Sequence, residues 1–167
     1  MFKQLLHSNN NVISILQQNT LFQDFSKAEL QELSNLIYVR WFKKEEIIFH
    51  ENAPGMGMYI IHEGIVKFSR NFSLNGREQA INLNKGDFFG DLTLAEENPR
   101  SATAVAVDDC CLIGIFRPDL IRLLERKPRL GNRILLKLNQ LISEKLQQRD
   151  NQLLQINEKL ASLNFIR

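Results

Sequence analysis

Between positions 39 and 116 the sequence runs in short bursts of branched and aromatic residues, cut every few positions by glycine, asparagine or acidic pairs. That spacing constrains the fold more than any other feature, because strands this short are not stable alone and must close on one another. Strands are expected over 39–42, 46–50, 58–62, 65–72, 78–83, 103–107 and 110–116. Val66 and Phe68 alternate with Lys67 and Ser69, and Ile81 and Leu83 flank Asn82, so these strands have one apolar face. Asn75-Gly76 is a strong hairpin signal, since both residues tolerate positive φ. Glu63-Gly64 is expected to make the same connection one strand earlier, and Asp108-Asp109 to join a further pair. Many short strands with a helical insert suggest an α+β chain built on a small antiparallel β-barrel or jelly roll.

Helical patterns flank this region. Val12, Ile13 and Leu16 give the N-terminal segment one apolar face. Ser26 and Glu29 form a capping box, which starts a helix carrying Leu30, Leu33, Leu36 and Ile37. Pro118 and Pro128 suit the first turns of two further helices. The second of these carries Leu135, Asn139, Ile142, Leu146, Arg149, Leu153, Ile156, Leu160 and Leu163, in steps of four and three without error. A lone amphipathic helix would follow 3.6 and drift, whereas this repeat is a coiled-coil seam that pairs with a copy of itself. Packing against the chain's own strands is the alternative. The expected organisation is a helical segment over 1–25, a β-barrel domain over 26–127 and a dimerisation helix over 128–167.

The stretch 86–104, GDFFGDLTLAEENPRSATA, carries the chemistry. A glycine-punctuated turn precedes a short helix, whose start presents unpaired N–H groups and a partial positive charge. Gly90 lets an oxygen approach the backbone closely. Arg100 can close on the same anion with a bidentate fork; its alternative is an ion pair with Asp87 or Asp91. Phe89-Gly90-Asp91-Leu92-Thr93-Leu94, followed by Pro99-Arg100-Ser101-Ala102-Thr103, resembles the phosphate-binding cassette of cyclic-nucleotide-binding domains, as in Crp/Fnr-type bacterial regulators and cyclic-nucleotide-regulated kinases. The resemblance spans about 21–148 and departs at Asp91, where the family has glutamate.

The resemblance implies the barrel fold and a cyclic nucleotide as ligand. Phe89, Gly90, Asp91, Leu92, Arg100, Ser101 and Ala102 are the ligand-binding candidates, with Arg100 and Ser101 on the phosphate and Asp91 on the ribose hydroxyl. Aspartate is one methylene short of glutamate, about 1.5 Å of reach. Ser101, where some cGMP-preferring relatives carry threonine, leans to cAMP over cGMP. Asn139 and Ser143 on the long helix are the candidates for contact with the base, and the resemblance implies a homodimer through that helix. No cofactor beyond the ligand is expected.

Size and composition bound the remaining possibilities. At 167 residues and 44% hydrophobic, the chain can bury a core. A net charge of +2 is too small to argue for nucleic-acid binding. Residues 122–149 hold eight Lys/Arg against two Glu, which is a solvated helix surface or an acid-binding face. No apolar run approaches the ~18 residues of a membrane span. Cys110 and Cys111, adjacent in a strand, point to opposite faces, which suits a reducing cytoplasmic setting. His50-Glu51 and His62-Glu63 lack metal-site spacing, and no P-loop, dinucleotide fingerprint or nucleophile elbow is present, so an enzyme is not expected. Nothing after Arg149 resembles a recognition helix. The expectation is a regulatory module without its helix-turn-helix domain, which signals to a downstream protein and does not bind DNA by itself. A truncated or partner-dependent transcription regulator and a ligand-free dimerisation scaffold are the alternatives.

Overall fold

The strand-rich stretch folds into two four-stranded antiparallel sheets with their inner faces packed together. In the computed structural model, which describes residues 9–70 and 79–164, the order is α1 (Asn9–Gln17), α2 (Lys27–Leu33), β1 (Ile37–Phe42), β2 (Ile47–Phe49), β3 (Gly57–Glu63), β4 (Val66–Arg70), β5 (Gln79–Leu83), β6 (Phe88–Phe89), α3 (Leu92–Ala95), β7 (Thr103–Ala106), β8 (Cys110–Phe116), α4 (Arg117–Arg126) and α5 (Pro128–Asn164). One sheet runs β1-β8-β3-β6 and the other β2-β7-β4-β5.

The two sheets differ in what covers them. β3 and β8 read as almost unbroken apolar runs because both of their faces are buried. Tyr59, Ile61, Cys110 and Leu112 turn inward and meet Val66, Leu83, Ala104 and Ala106 of the other sheet. Met58, Ile60, Ile113 and Ile115 turn outward and meet Leu16, Leu30, Leu33, Leu120 and Ile134 of the helices. Each large side chain so buried contributes about 1.5–3 kcal/mol. β4 buries Val66 and β5 buries Leu83, while the rest of β5, Ile81 included, is exposed and does not follow the expected apolar alternation.

Two expected hairpins are corners instead. β3 pairs with β8 and β6, while β4 pairs with β5 and β7, so Glu63-Gly64 carries the chain from one sheet to the other. Likewise β7 and β8 lie in different sheets and do not pair across Asp108-Asp109. The two corners sit together: Asp108 Oδ1 accepts from Ile65 N–H at 2.6 Å, and Asp109 accepts from Lys44 N–H at 2.9 Å. A Cβ on Gly64, at φ +89, would stand 2.7 Å from Asp109 O. Alternation marks a strand but does not say which sheet it joins. β4 and β5 do pair, from Val66↔Leu83 to Arg70↔Gln79, while the Asn75-Gly76 turn lies outside the described residues.

The capping box at Ser26 forms as expected, with Ser26 Oγ accepting from Glu29 N–H and Glu29 Oε2 from Ser26 N–H. α2 stops at Leu33, earlier than its apolar pattern suggested. Ser34 Oγ and Asn35 Nδ2 donate to Gln31 O and satisfy the last turn. Leu36 therefore falls in the link and Ile37 opens β1.

α5 is 37 residues long, about 55 Å. Leu130, Ile134 and Leu138 bury its first turns in the helical core. Arg133 pairs with Glu29 at 2.6 Å, Lys127 pairs with Glu32 at 2.5 Å, and Lys137 pairs with Asp24. Every residue from Leu146 to Ser162 is exposed.

Candidate functional site

Arg100 sits on the link into β7 and is only 5% exposed. Its Nη1 donates to Gly57 O at 2.7 Å, to Thr93 Oγ1 at 3.0 Å and, at 3.4 Å, to Gly90 O. The Phe49 ring lies 4.2 Å from its guanidinium carbon, a stacked cation–π contact. Among the described residues no carboxylate pairs with it, so the expected alternatives, Asp87 and Asp91, do not neutralise it. Asp87 is taken by Lys145 Nζ at 3.3 Å. Burial pulls the Arg100 pKa below its ordinary value, with Tyr59 acting in the opposite sense. Its Nε is buried with no partner among the described residues. A buried guanidinium held by carbonyls and aromatic rings, with an orphan N–H, is incomplete without an anion.

The cassette turn is built around that cation. Gly90 adopts φ +76, a conformation that favours glycine. A Cβ there would stand 2.2 Å from Arg100 Nη1 and 3.1 Å from Gly57 O. Thr93 N–H and Leu94 N–H turn back to Gly90 O and Asp91 O, which closes the first turn of α3. Asp91 stands at the N-cap position without making a side-chain cap bond, so its carboxylate is not used by the helix. Thr93 was not singled out from the sequence. Its buried hydroxyl accepts from Gly57 N–H at 3.0 Å and from Arg100, and donates to Gly57 O at 2.8 Å. The one signal for it is its polar character between Leu92 and Leu94.

A cavity of about 770 Å³ opens beside Arg100. Phe89, Gly90, Asp91, Arg100 and Ser101 line it, as expected, together with Phe49, Phe68 and Thr93. Leu92 opens α3, and Ala102 is fully buried. Val66 lies in the sandwich core.

α5 does not bring Asn139 or Ser143 to the cavity. Both are exposed, and Ser143 Oγ bonds Asn139 Oδ1 at 3.2 Å. The domain-facing stripe of the helix runs instead through Leu138, Leu141 and Lys145, and Arg149, one turn on, lines the cavity. Lys145 anchors the stripe. Its Nζ donates to Phe88 O at 3.0 Å, lies 4.3 Å from the Phe88 ring centroid and pairs with Asp87. Burial pulls the Lys145 amine below its usual pKa, and Asp87 opposes that.

The basic run is largely engaged within the chain. Arg122, Lys127, Arg133, Lys137 and Lys145 each pair with a carboxylate. Among the described residues no cluster of three His, Cys, Asp or Glu could hold a metal, and no helix is long and apolar enough to cross a membrane. Burial pushes the Cys110 and Cys111 thiols up to about 11 and about 12, which leaves both uncharged at neutral pH.

A model of the cyclic nucleotide-binding domain matches residues 39–127, just over half of the chain, from within β1 through α4. The chain belongs to the cyclic nucleotide-binding domain family. Among relatives of this domain, the cyclic AMP receptor protein of Thermus thermophilus is 29% identical over 120 residues, 71% of this chain and 55% of the receptor. A cAMP-dependent protein kinase regulatory subunit of Hypocrea atroviridis is 28% identical over 96 residues, 58% of this chain and 20% of that subunit. The chain thus spans about half the length of the receptor and far less of the kinase subunit. Among solved structures, a cyclic nucleotide-binding domain from Methylobacillus flagellatus superposes with TM-score 0.73 at 25% identity, covering 87% of this chain and 82% of that one. The Thermus thermophilus catabolite activator protein superposes with TM-score 0.64 at 30% identity, over 80% and 61%.

Proposed function

We propose that the chain is a regulatory module that takes a 3′,5′-cyclic purine nucleotide into the Arg100 cavity and passes its occupancy to a partner through α5. The buried guanidinium of Arg100, which has an orphan Nε and no carboxylate, carries this assignment. The cyclic phosphate completes the charge that Gly57 O, Thr93 and Phe49 only partly compensate. Ser101 and the backbone N–H groups of Gly90, Asp91 and Leu92 supply further donors. Asp91, not used as a helix cap, accepts from the ribose hydroxyl. Named relatives are receptors and kinase regulatory subunits, which supports a binding module over an enzyme. Cyclic AMP is the ligand named for those relatives and favoured by Ser101.

Ligand closing on the cassette acts on Asp87 and Phe88, and hence on Lys145 and the direction of α5. A second copy on the exposed seam of α5 would read that change. For α5 to respond, the ligand must bind one helix arrangement more tightly than the other.

Calorimetric titration of wild type and Arg100→Leu with cAMP and cGMP tests the site. Charge-assisted bonds contribute about 1.5–3 kcal/mol each, so the variant should lose at least about tenfold in affinity for either ligand. Equal affinity in the two proteins would remove Arg100 from the site.

A further inference from the structure

We propose that Phe49 is a positioning residue for the ligand's phosphate, acting through Arg100; this rests on the cyclic-nucleotide assignment above. Its ring sets the guanidinium so that the Nε and Nη2 edge faces the anion. The hydrogen bonds that the fold gives Arg100 all fall on one nitrogen. Nη1 donates to Gly57 O, Thr93 Oγ1 and Gly90 O. Among the described residues nothing accepts from Nε, which is buried, or from Nη2. A planar group held at one corner can still turn about that corner. The second hold is the Phe49 ring, 4.2 Å from the guanidinium carbon, with the Tyr59 ring further off at 6.0 Å. Stacking engages the flat face of the cation and leaves the N–H groups at its rim free.

Phe49 is held in turn. Its ring stacks on Tyr59 with centroids 6.4 Å apart, meets Phe68 edge-on at 6.4 Å and lies 5.7 Å from Phe89. Aromatic pairs at this spacing favour particular angles, so the cluster fixes the ring. β2 brings the residue here by its register on β7, where Phe49 stands opposite the small, buried Ala104. A carboxylate in the place of the ring would neutralise Arg100 and compete with the ligand for it. A ring face offsets the burial of the charge and keeps the rim open. With Nη1 occupied and the face covered, the free rim is the Nε–H and one Nη2–H, side by side on one edge. Two oxygens of one phosphate match that fork.

A double-mutant cycle of Phe49→Leu with Arg100→Lys, read by calorimetric titration with cAMP, tests the coupling. Leucine keeps apolar bulk and loses the ring face; lysine keeps the charge and loses the fork. Phe49→Leu should weaken binding about tenfold beside Arg100, the scale of a desolvated cation–π contact, and less than about twofold beside Arg100→Lys. Phe49→Tyr, which keeps the face, should stay near wild type. In proton–nitrogen spectra the Arg100 Nε–H should carry a ring-current shift in wild type and Phe49→Tyr that Phe49→Leu removes, and cAMP should move it downfield as a phosphate oxygen accepts. Equal losses in the two backgrounds would overturn the proposal, because Phe49 would then act as cavity wall and not through Arg100. An Nε–H resonance that bound cAMP leaves unmoved would overturn it too, and wild type alone gives that result should Phe49→Leu lose its thermal transition. Failure of wild type to bind either cAMP or cGMP would remove the cyclic-nucleotide assignment itself, a result distinct from binding that Phe49→Leu leaves unchanged.

Discussion

Thr93 shows how much of this site depends on one hydroxyl. It is nearly isosteric with valine, yet its oxygen accepts from Gly57 N–H and Arg100 Nη1 and donates to Gly57 O. Thr93→Val keeps the shape, leaves the buried Gly57 N–H without its acceptor at a cost of about 1–3 kcal/mol, and removes one of the acceptors of Arg100 Nη1. We expect a clear loss of stability in chemical denaturation, together with weaker cyclic-nucleotide binding, because Arg100 loses one of the groups that aim it. Stability lost with affinity intact would make Thr93 a prop for the Gly57 turn alone. Arg100 itself was legible from its neighbours in the sequence, since proline, serine and alanine around an arginine beyond a glycine turn form an unusual set. Phe49, Tyr59 and Gly57 were not, because they reach Arg100 from 41 to 51 positions away through the pairing of β3 and β6 and the register of β2 on β7. Nothing local marks a phenylalanine as the face of a guanidinium.

Helix ends tell the same story with their signals closer at hand. The Ser26 and Glu29 side chains each satisfy a donor at the start of α2, and both residues stand in the sequence as a capping box. Ser26→Ala should cost about 1 kcal/mol, read as a shift of the denaturation midpoint with unchanged slope. No shift would mean that the tie from Glu29 to Arg133 holds the helix start by itself. The strands were legible from alternation and β-branched content, and their positions followed closely. Their partners were not. Glu63-Gly64 and Asp108-Asp109 carry turn chemistry suited to a hairpin, and in the fold both are corners between sheets. The acidic side chains there serve the backbone N–H groups of Ile65 in the neighbouring corner and of Lys44 between β1 and β2, contacts across more than 40 positions. The two-residue strand β6, lodged between glycines, was too short for any periodic signal. Asn139 and Ser143 stand off the cavity of their own chain for a related reason. A heptad says which residues share a face of α5, but the buried stripe Leu130, Ile134 and Leu138 decides which face meets the sandwich.

α5 leaves the sandwich after Lys145 and carries Leu146, Leu153, Ile156 and Leu160, each more than half exposed. A solvated helix of this length is marginal unless its apolar face is covered. Earlier heptad members Leu135 and Ile142 are exposed as well, so the heptad stripe is distinct from the stripe spent on the chain's own core. At Arg149 the two stripes converge, since the heptad assigns it to the seam while its side chain lines the cavity. The seam is therefore weakest where the ligand would sit. A pair of α5 helices joined through Leu146 and Leu153 would straddle that point and place both cavities beside the dimer axis. Burying one leucine contributes about 1.5–3 kcal/mol, and introducing a charge in its place reverses the sign. Sedimentation velocity at micromolar concentration should find the wild type at twice the chain mass and Leu153→Glu at the monomer mass. Because Leu153 touches none of the sandwich, the variant should keep its thermal transition for the barrel. A monomeric wild type, with or without cyclic nucleotide, would leave α5 without the partner that its heptad specifies.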